Sequence, residues 1–280
     1  MSTRISREVR LRKRPIGLPT TADFELADVT VPAPMSGQIL VENLYMSVDP
    51  YMRGRMIDRE SYVPAFQLGE ALQGGAVGRV IESRNDRFQV GDHVLSMNGW
   101  RERFLSSGAD LQKVDPAAAP LSAYLGVLGM PGFTAWYGLL EIGRPQPDQT
   151  VFVSGAAGAV GSAVCQIAKA MGCRVVGSAG SDEKTTWLTD EVGVDVAINY
   201  KTIGDAPARS LGDVKHAASH DDTASHDHTP SHDHTPSHDH TASHLRAALH
   251  EAAPDGIDIY FDNVGGNHLE AALWGMNPFG

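Results

Sequence analysis

The chain has 280 residues, of which 42% are hydrophobic and 20% charged, enough apolar surface for two globular domains. A formal net charge of -11 argues against nucleic acid, whose binding is driven by neutralising phosphates, but leaves room for a basic pocket around an anionic cofactor. The two cysteines, Cys165 and Cys173, are too few for a four-cysteine zinc site and read as small buried apolar residues.

The N-terminus carries Arg4, Arg7, Arg10, Arg12, Lys13 and Arg14 with no apolar segment behind them, so no signal peptide is expected. Residues 38–44, 74–83 and 92–95 are short apolar runs bounded by turn residues and predict strands in a β-rich first domain over 1–130. Residues 116–140 carry no charge and are long enough to cross a bilayer. Pro116, Pro120, Pro131 and several glycines interrupt them, so a buried core with turns is expected and no membrane helix.

The pattern then changes. Strands are predicted over 150–154, 174–177, 195–198 and 257–261, and helices over 158–171, 182–191 and 268–276. Val160, Val164, Ile167, Ala168 and Met171 form the apolar stripe of the first helix, and Ser181 is a natural N-cap for the second. Alternating strands and helices imply βαβ units and a parallel sheet, giving a second domain over 131–280. A full dinucleotide-binding sheet has about six strands. This chain shows four before it stops, so the sheet is expected to be truncated.

Residues 223–244 repeat TASHDH, TPSHDH, TPSHDH, TASH. Such a block has no apolar face, and a disordered His-rich insertion is expected at about 215–244 within the second domain. Histidine with aspartate binds zinc, nickel or copper, but a flexible repeat fixes no geometry, so adventitious binding or no function is the expectation.

The chemistry centres on Gly155, Gly158 and Gly161, a GxxGxxG run that follows a strand and opens a helix. There the backbone can approach a pyrophosphate, and a helix N-terminus faces it with N–H groups. NAD sites usually place a carboxylate about 20 residues on, to hold the ribose 2′-hydroxyl. That count from Gly158 reaches Ser178, in a stretch without a carboxylate, which leaves space for a 2′-phosphate. Lys184, one turn into the next helix, either pairs with that phosphate or is an ordinary exposed helix residue.

Four stretches carry a resemblance: NLYMSVDPYMRGRM (43–56), LGVLGMPGFTAWYGL (125–139), VSGAAGAVGSAVCQIAKAMGCRVVGSAGSDEK (153–184) and YFDNVGG (260–266). The chain resembles the zinc-independent medium-chain dehydrogenase/reductases, in the branch of leukotriene B4 dehydrogenase, prostaglandin, alkenal and curcumin reductases. The resemblance implies an α/β fold with an N-terminal GroES-like β domain, holding substrate and catalytic groups, and a C-terminal Rossmann domain holding NADP. It implies a cytoplasmic homodimer that binds no metal, nucleic acid or membrane and transfers hydride from NADPH to the β-carbon of a small α,β-unsaturated ketone or aldehyde.

By position, Gly158, Ala159, Val160 and Gly161 would cradle the pyrophosphate, Lys184 and Tyr200 would hold the 2′-phosphate, and Asn263 would lie along the cofactor. Tyr62 resembles a pocket tyrosine of the curcumin reductases, and a phenol can donate to an enolate and return a proton. Tyr51 is the weaker candidate for that role. The family pattern lacks the His-rich block and continues beyond Gly280 with two more strands and a closing segment. The alternative readings are therefore a quinone oxidoreductase of the same superfamily and an inactive fragment that at most binds cofactor.

Overall fold

The structure is a computed structural model that describes residues 4–61, 63–203, 209–210 and 238–278, with backbone alone at 209–210 and 238–241. The chain divides into two compact units, Met1–Met130 and Pro131–Gly280.

In the first unit, β1 (Arg4–Leu11) and β2 (Phe24–Val31) form an antiparallel pair. A second antiparallel sheet contains β3 (Ile39–Met46), β4 (Ala76–Ser83), β5 (His93–Ser96), β6 (Arg103–Ser106) and β7 (Gln112–Val114), in the order β6-β3-β4-β5-β7. The runs at 38–44, 74–83 and 92–95 are thus strands β3, β4 and β5, each displaced by a residue or two. The other four strands were not anticipated. Arginines interrupt the apolar residues of β1, although Leu11 is fully buried. The core inside this sheet is built from Ile39, Val41, Val80, Phe88, Val94 and Phe104. A short helix α1 (Tyr51–Arg55) brings Met52 into a second cluster with Leu11, Phe66 and Leu72.

In the second unit, after α2 (Met130–Trp136), four strands run parallel: β8 (Thr150–Val153), β9 (Arg174–Ala179), β10 (Val196–Asn199) and, further along the chain, β12 (Ile259–Phe261). Between the last two, β11 (Arg209–Ser210) adds antiparallel to β10. The order β11-β10-β9-β8-β12 places strands one to four of the parallel set as 3-2-1-4, the arrangement of dinucleotide-binding sheets. Strand residues alternate between two cores. Val151, Val153 and Val175 face α3 (Ala159–Ala170) and the Leu188–Val192 turn that continues α4 (Asp182–Trp187), whereas Phe152, Val176 and Ile198 face α5 (His238–Ala252) and α6 (Asn267–Gly275). Helices on both faces explain why these strands are near-continuous apolar runs.

Cys165 and Cys173 are buried and free, as expected, and burial pushes the Cys165 thiol up to about 12. Three expectations need correction. Residues 116–140 are broken by turns as foreseen, but not buried throughout: Val127, Leu128, Met130, Phe133, Trp136 and Tyr137 are exposed, because α2 turns only Pro131, Gly132 and Ala135 inward. Met171 leaves the apolar stripe of α3, since the helix ends there and its side chain reaches solvent. The insertion was expected to extend to residue 244, yet residues 238–244 form the first turns of α5. Buried Leu245 and Leu249 anchor that helix, and propagating it backwards costs far less than nucleating it. Residues 211–237, with most of the repeat, lie outside the described residues.

Candidate functional site

The glycine run turns sharply between β8 and α3. Gly155 has φ +58, the left-handed region where glycine is strain-free. Gly161 lies against that turn. A Cβ there would collide with the Gly155 carbonyl oxygen and come within 2.8 Å of Ala156 Cα. The absent side chain lets α3 press on the loop. Gly158 is the N-cap of α3, and its N–H donates to the Gly155 carbonyl at 2.9 Å. Gly158 and Ala159 are exposed, Val160 is half-buried and Gly161 is buried. Helix geometry leaves the first-turn N–H groups without intrahelical partners, so this exposed end presents donors and the positive end of the helix dipole.

Asn263 joins the same loop from the turn after β12, the strand beside β8. Its side-chain amide donates to the Ser154 carbonyl at 2.9 Å, and its backbone N–H donates to the Ser154 hydroxyl, also at 2.9 Å. Asn263 Cβ would be 3.4 Å from a Cβ on Gly155. Ser154 is fully buried, and its hydroxyl lies 3.2 Å from Asp262 Oδ1. The Tyr260 hydroxyl is within hydrogen-bond reach of both, at 2.7 Å from Asp262 Oδ1 and 3.0 Å from Ser154 Oγ. The Val264 and Gly265 N–H groups also donate to Asp262 Oδ1, at 2.9 and 2.7 Å. Burial pushes the Asp262 carboxyl up, but the hydrogen bonds from Tyr260, Gly265, Val264 and Ser154 outweigh it and hold the group below the usual carboxylate range. Burial drives the Tyr260 phenol the opposite way, well above its ordinary value.

The sequence reading singled out Asn263 from this cluster and missed Ser154, Tyr260 and Asp262. A polar serine ending an otherwise apolar strand was the available signal.

The remaining predicted residues gather at the end of β9. The strand ends at Ala179, and Gly180 and Ser181 turn into α4. Ser178, reached by counting from Gly158, is fully buried and is not at the tip. Ser181 is the N-cap of α4 as expected, accepting from the Lys184 N–H at 3.4 Å. The exposed Lys184 and Ala157 of the glycine loop line one open depression of about 470 Å³, to which Glu183, Asp190 and Glu191 also contribute. Tyr200, half-buried after β10, donates its N–H to the Ala179 carbonyl at 3.1 Å, and its hydroxyl oxygen would be 2.9 Å from a Cβ on Gly180. Tyr200 and Lys184 therefore flank the Gly180–Ser181 turn, while Asn263 stands with the glycine loop.

Tyr62 lies outside the described residues. Its neighbours Ser61 and Val63 line a small cavity of about 150 Å³ in the first unit with Tyr51, Arg55 and Arg59. Among the described residues no three His, Cys, Asp or Glu side chains cluster to hold a metal ion, and no helix is long and apolar enough to cross a membrane.

Comparison with known proteins agrees with this geometry. Residues 7–114 match a family profile described as the N-terminal domain of oxidoreductase, and residues 159–220 match one described as zinc-binding dehydrogenase. The chain is 44% identical over 277 residues to the putative NADP-dependent oxidoreductase YfmJ of Bacillus subtilis, covering 99% of this chain and 70% of that protein. It is 40% identical over 280 residues to the NADP(+)-dependent 2-alkenal reductase of Nicotiana tabacum, covering 98% and 70%. The crystal structure of CurA from Vibrio vulnificus in complex with NADPH superposes with a TM-score of 0.78 at 36% identity, covering 98% of this chain and 69% of that one. The two units accordingly have the GroES-like and Rossmann-like folds, and the chain belongs to the medium-chain dehydrogenase/reductase family, in its branch of NADP-dependent prostaglandin, alkenal and curcumin reductases.

Proposed function

We propose that this protein is an NADPH-dependent oxidoreductase that reduces the carbon–carbon double bond of small α,β-unsaturated ketones and aldehydes. The carrying observation is the glycine loop: only a glycine at 161 lets α3 pack on the Gly155–Ala156 backbone, and the loop opens onto the exposed N-terminus of α3. Residues 131–280 hold the cofactor, and residues 1–130 hold the substrate and supply catalytic groups. Backbone donors at Gly158, Ala159, Val160 and Gly161 bind the pyrophosphate. Lys184 and Tyr200 bind the 2′-phosphate beside the Gly180–Ser181 turn, which bears no carboxylate to repel it. Asn263, clasped to Ser154, orients the cofactor along the glycine loop.

When bound, NADPH supplies the hydride, so the protein itself needs no nucleophile. Its own task is to position the enone and to donate a hydrogen bond where negative charge develops on the carbonyl oxygen. We assign that donor role to the Tyr62 phenol, which then gives its proton to the enolate and is reprotonated from solvent. Zinc independence belongs to the same reading. The two free thiols fit a reducing compartment, and we place the protein in the cytoplasm as a homodimer, which light scattering tests.

The deciding experiment is titration of the 280-residue chain with NADPH and NADH, followed by turnover on a 2-alkenal and on a quinone. Preferential NADPH binding with alkenal turnover is the expected result. Turnover on the quinone alone would transfer the assignment to quinone reduction, and binding without turnover to a cofactor-binding fragment.

A further inference from the structure

We infer that His268 is a positioning residue for Tyr200 and, through it, a determinant of the preference for NADPH over NADH. This rests on the cofactor reading above, and specifically on Tyr200 standing where the 2′-phosphate is bound. His268 lies in the first turn of α6 and is only 5% exposed. Its ring meets the Tyr200 ring with centroids 4.8 Å apart and planes at 82°, an edge-to-face contact.

The tyrosine is held from three directions. Its N–H bonds the Ala179 carbonyl, its hydroxyl closes on Gly180, and the histidine ring blocks a further side. The end of β9 is the place where dinucleotide folds read the adenosine ribose. The Tyr200 phenol can serve a 2′-phosphate only if its ring does not swing away, and among the described aromatic rings only His268 contacts it.

The chemistry of His268 is otherwise unexplained. Its Nε2 is buried without a hydrogen-bond partner among the described residues, a cost that core packing alone does not call for. Burial holds the imidazole below its ordinary pKa, with Asp262 partly opposing, so the ring faces Tyr200 uncharged. An uncharged ring supports the phenol without itself attracting phosphate. The expected signature is therefore a change in selectivity and not a general loss of anion binding.

The test is a fluorescence titration of the full chain with NADPH and with NADH for wild type, His268→Ala, His268→Phe, Tyr200→Phe and the His268→Ala/Tyr200→Phe pair. His268→Ala is expected to weaken NADPH by roughly tenfold while NADH changes by less than about twofold. His268→Phe, which keeps an aromatic ring, should retain the wild-type ratio. The double variant should be no worse than Tyr200→Phe alone, because one interaction is removed twice. Should His268→Ala not fold, His268→Leu, which fills the space without an aromatic edge, carries the same expectation. Equal losses for both cofactors, or an unchanged ratio in a wild type that prefers NADPH, would overturn the role of His268 and leave the cofactor reading standing. A wild type with no preference would overturn both.

Discussion

Ser154 and Asn263 clasp each other twice, through the Ser154 carbonyl to the Asn263 amide and through the Ser154 hydroxyl to the Asn263 N–H, each at 2.9 Å. The clasp joins the strand that enters the glycine loop to the turn after β12. Ser154→Ala leaves the Asn263 N–H unpaired and removes one donor from Asp262. A buried group without its partner costs about 1–3 kcal/mol, so the urea midpoint should fall accordingly. NADPH affinity should fall with it by several-fold. An unchanged midpoint would show that the clasp contributes nothing.

Gly161→Ala places a methyl group against the Gly155 carbonyl and Ala156 Cα, backbone atoms that cannot turn aside. Overpacking of this kind costs about 1–3 kcal/mol. The strain falls on the loop itself, so NADPH binding should be lost while the far-UV circular dichroism stays native. Retained affinity would mean that the loop does not hold the pyrophosphate.

Lys184→Ala should raise the NADPH dissociation constant by about tenfold, the scale of one charge-assisted contact, and leave NADH unchanged. The contrast between the cofactors is the readout, because the side chain is exposed and its loss should not move stability. Loss of affinity for both would place Lys184 elsewhere along the dinucleotide.

Stability should depend on pH through His268. Its folded pKa lies below the ordinary 6.5, with burial the cause, so the unfolded chain binds the proton more readily. Its contribution is fully present above pH 6.5 and is lost as pH falls through the folded value. His268→Phe should flatten the unfolding free energy below neutrality. Equal slopes for variant and wild type would assign the acid sensitivity to other groups.

Leu249→Ala removes a fully packed side chain that docks α5 on the sheet beside Phe152 and Val176. Truncations of this kind cost about 2–5 kcal/mol. The helical signal of α5 should weaken with the thermal midpoint. A midpoint within a degree of wild type would mean that the helix is not anchored there.

Much of the second unit was legible because its signals are local. Short apolar runs marked β8, β9 and β10, an apolar stripe and a cap marked the helices between them, and the glycine spacing marked the loop. The first unit was less legible. Of its strands, β6 and β7 are only four and three residues long, and β1 has arginines spread among its few apolar residues. The end of the His-rich repeat misled for a related reason: residues 238–244 have no apolar face of their own and take helical form only because Leu245 and Leu249 are docked.

The sequence by itself determined the parallel α/β unit, the glycine loop, the Ser181 cap and the lack of a carboxylate within the Gly180–Ser181 turn, since each depends on residues within a turn or two of one another. Tertiary structure alone decided that Asn263 would clasp Ser154 across 109 positions and that His268 would meet the Tyr200 ring. Strand order brings those residues together, and strand order is set by how distant apolar faces pack, which no local pattern encodes.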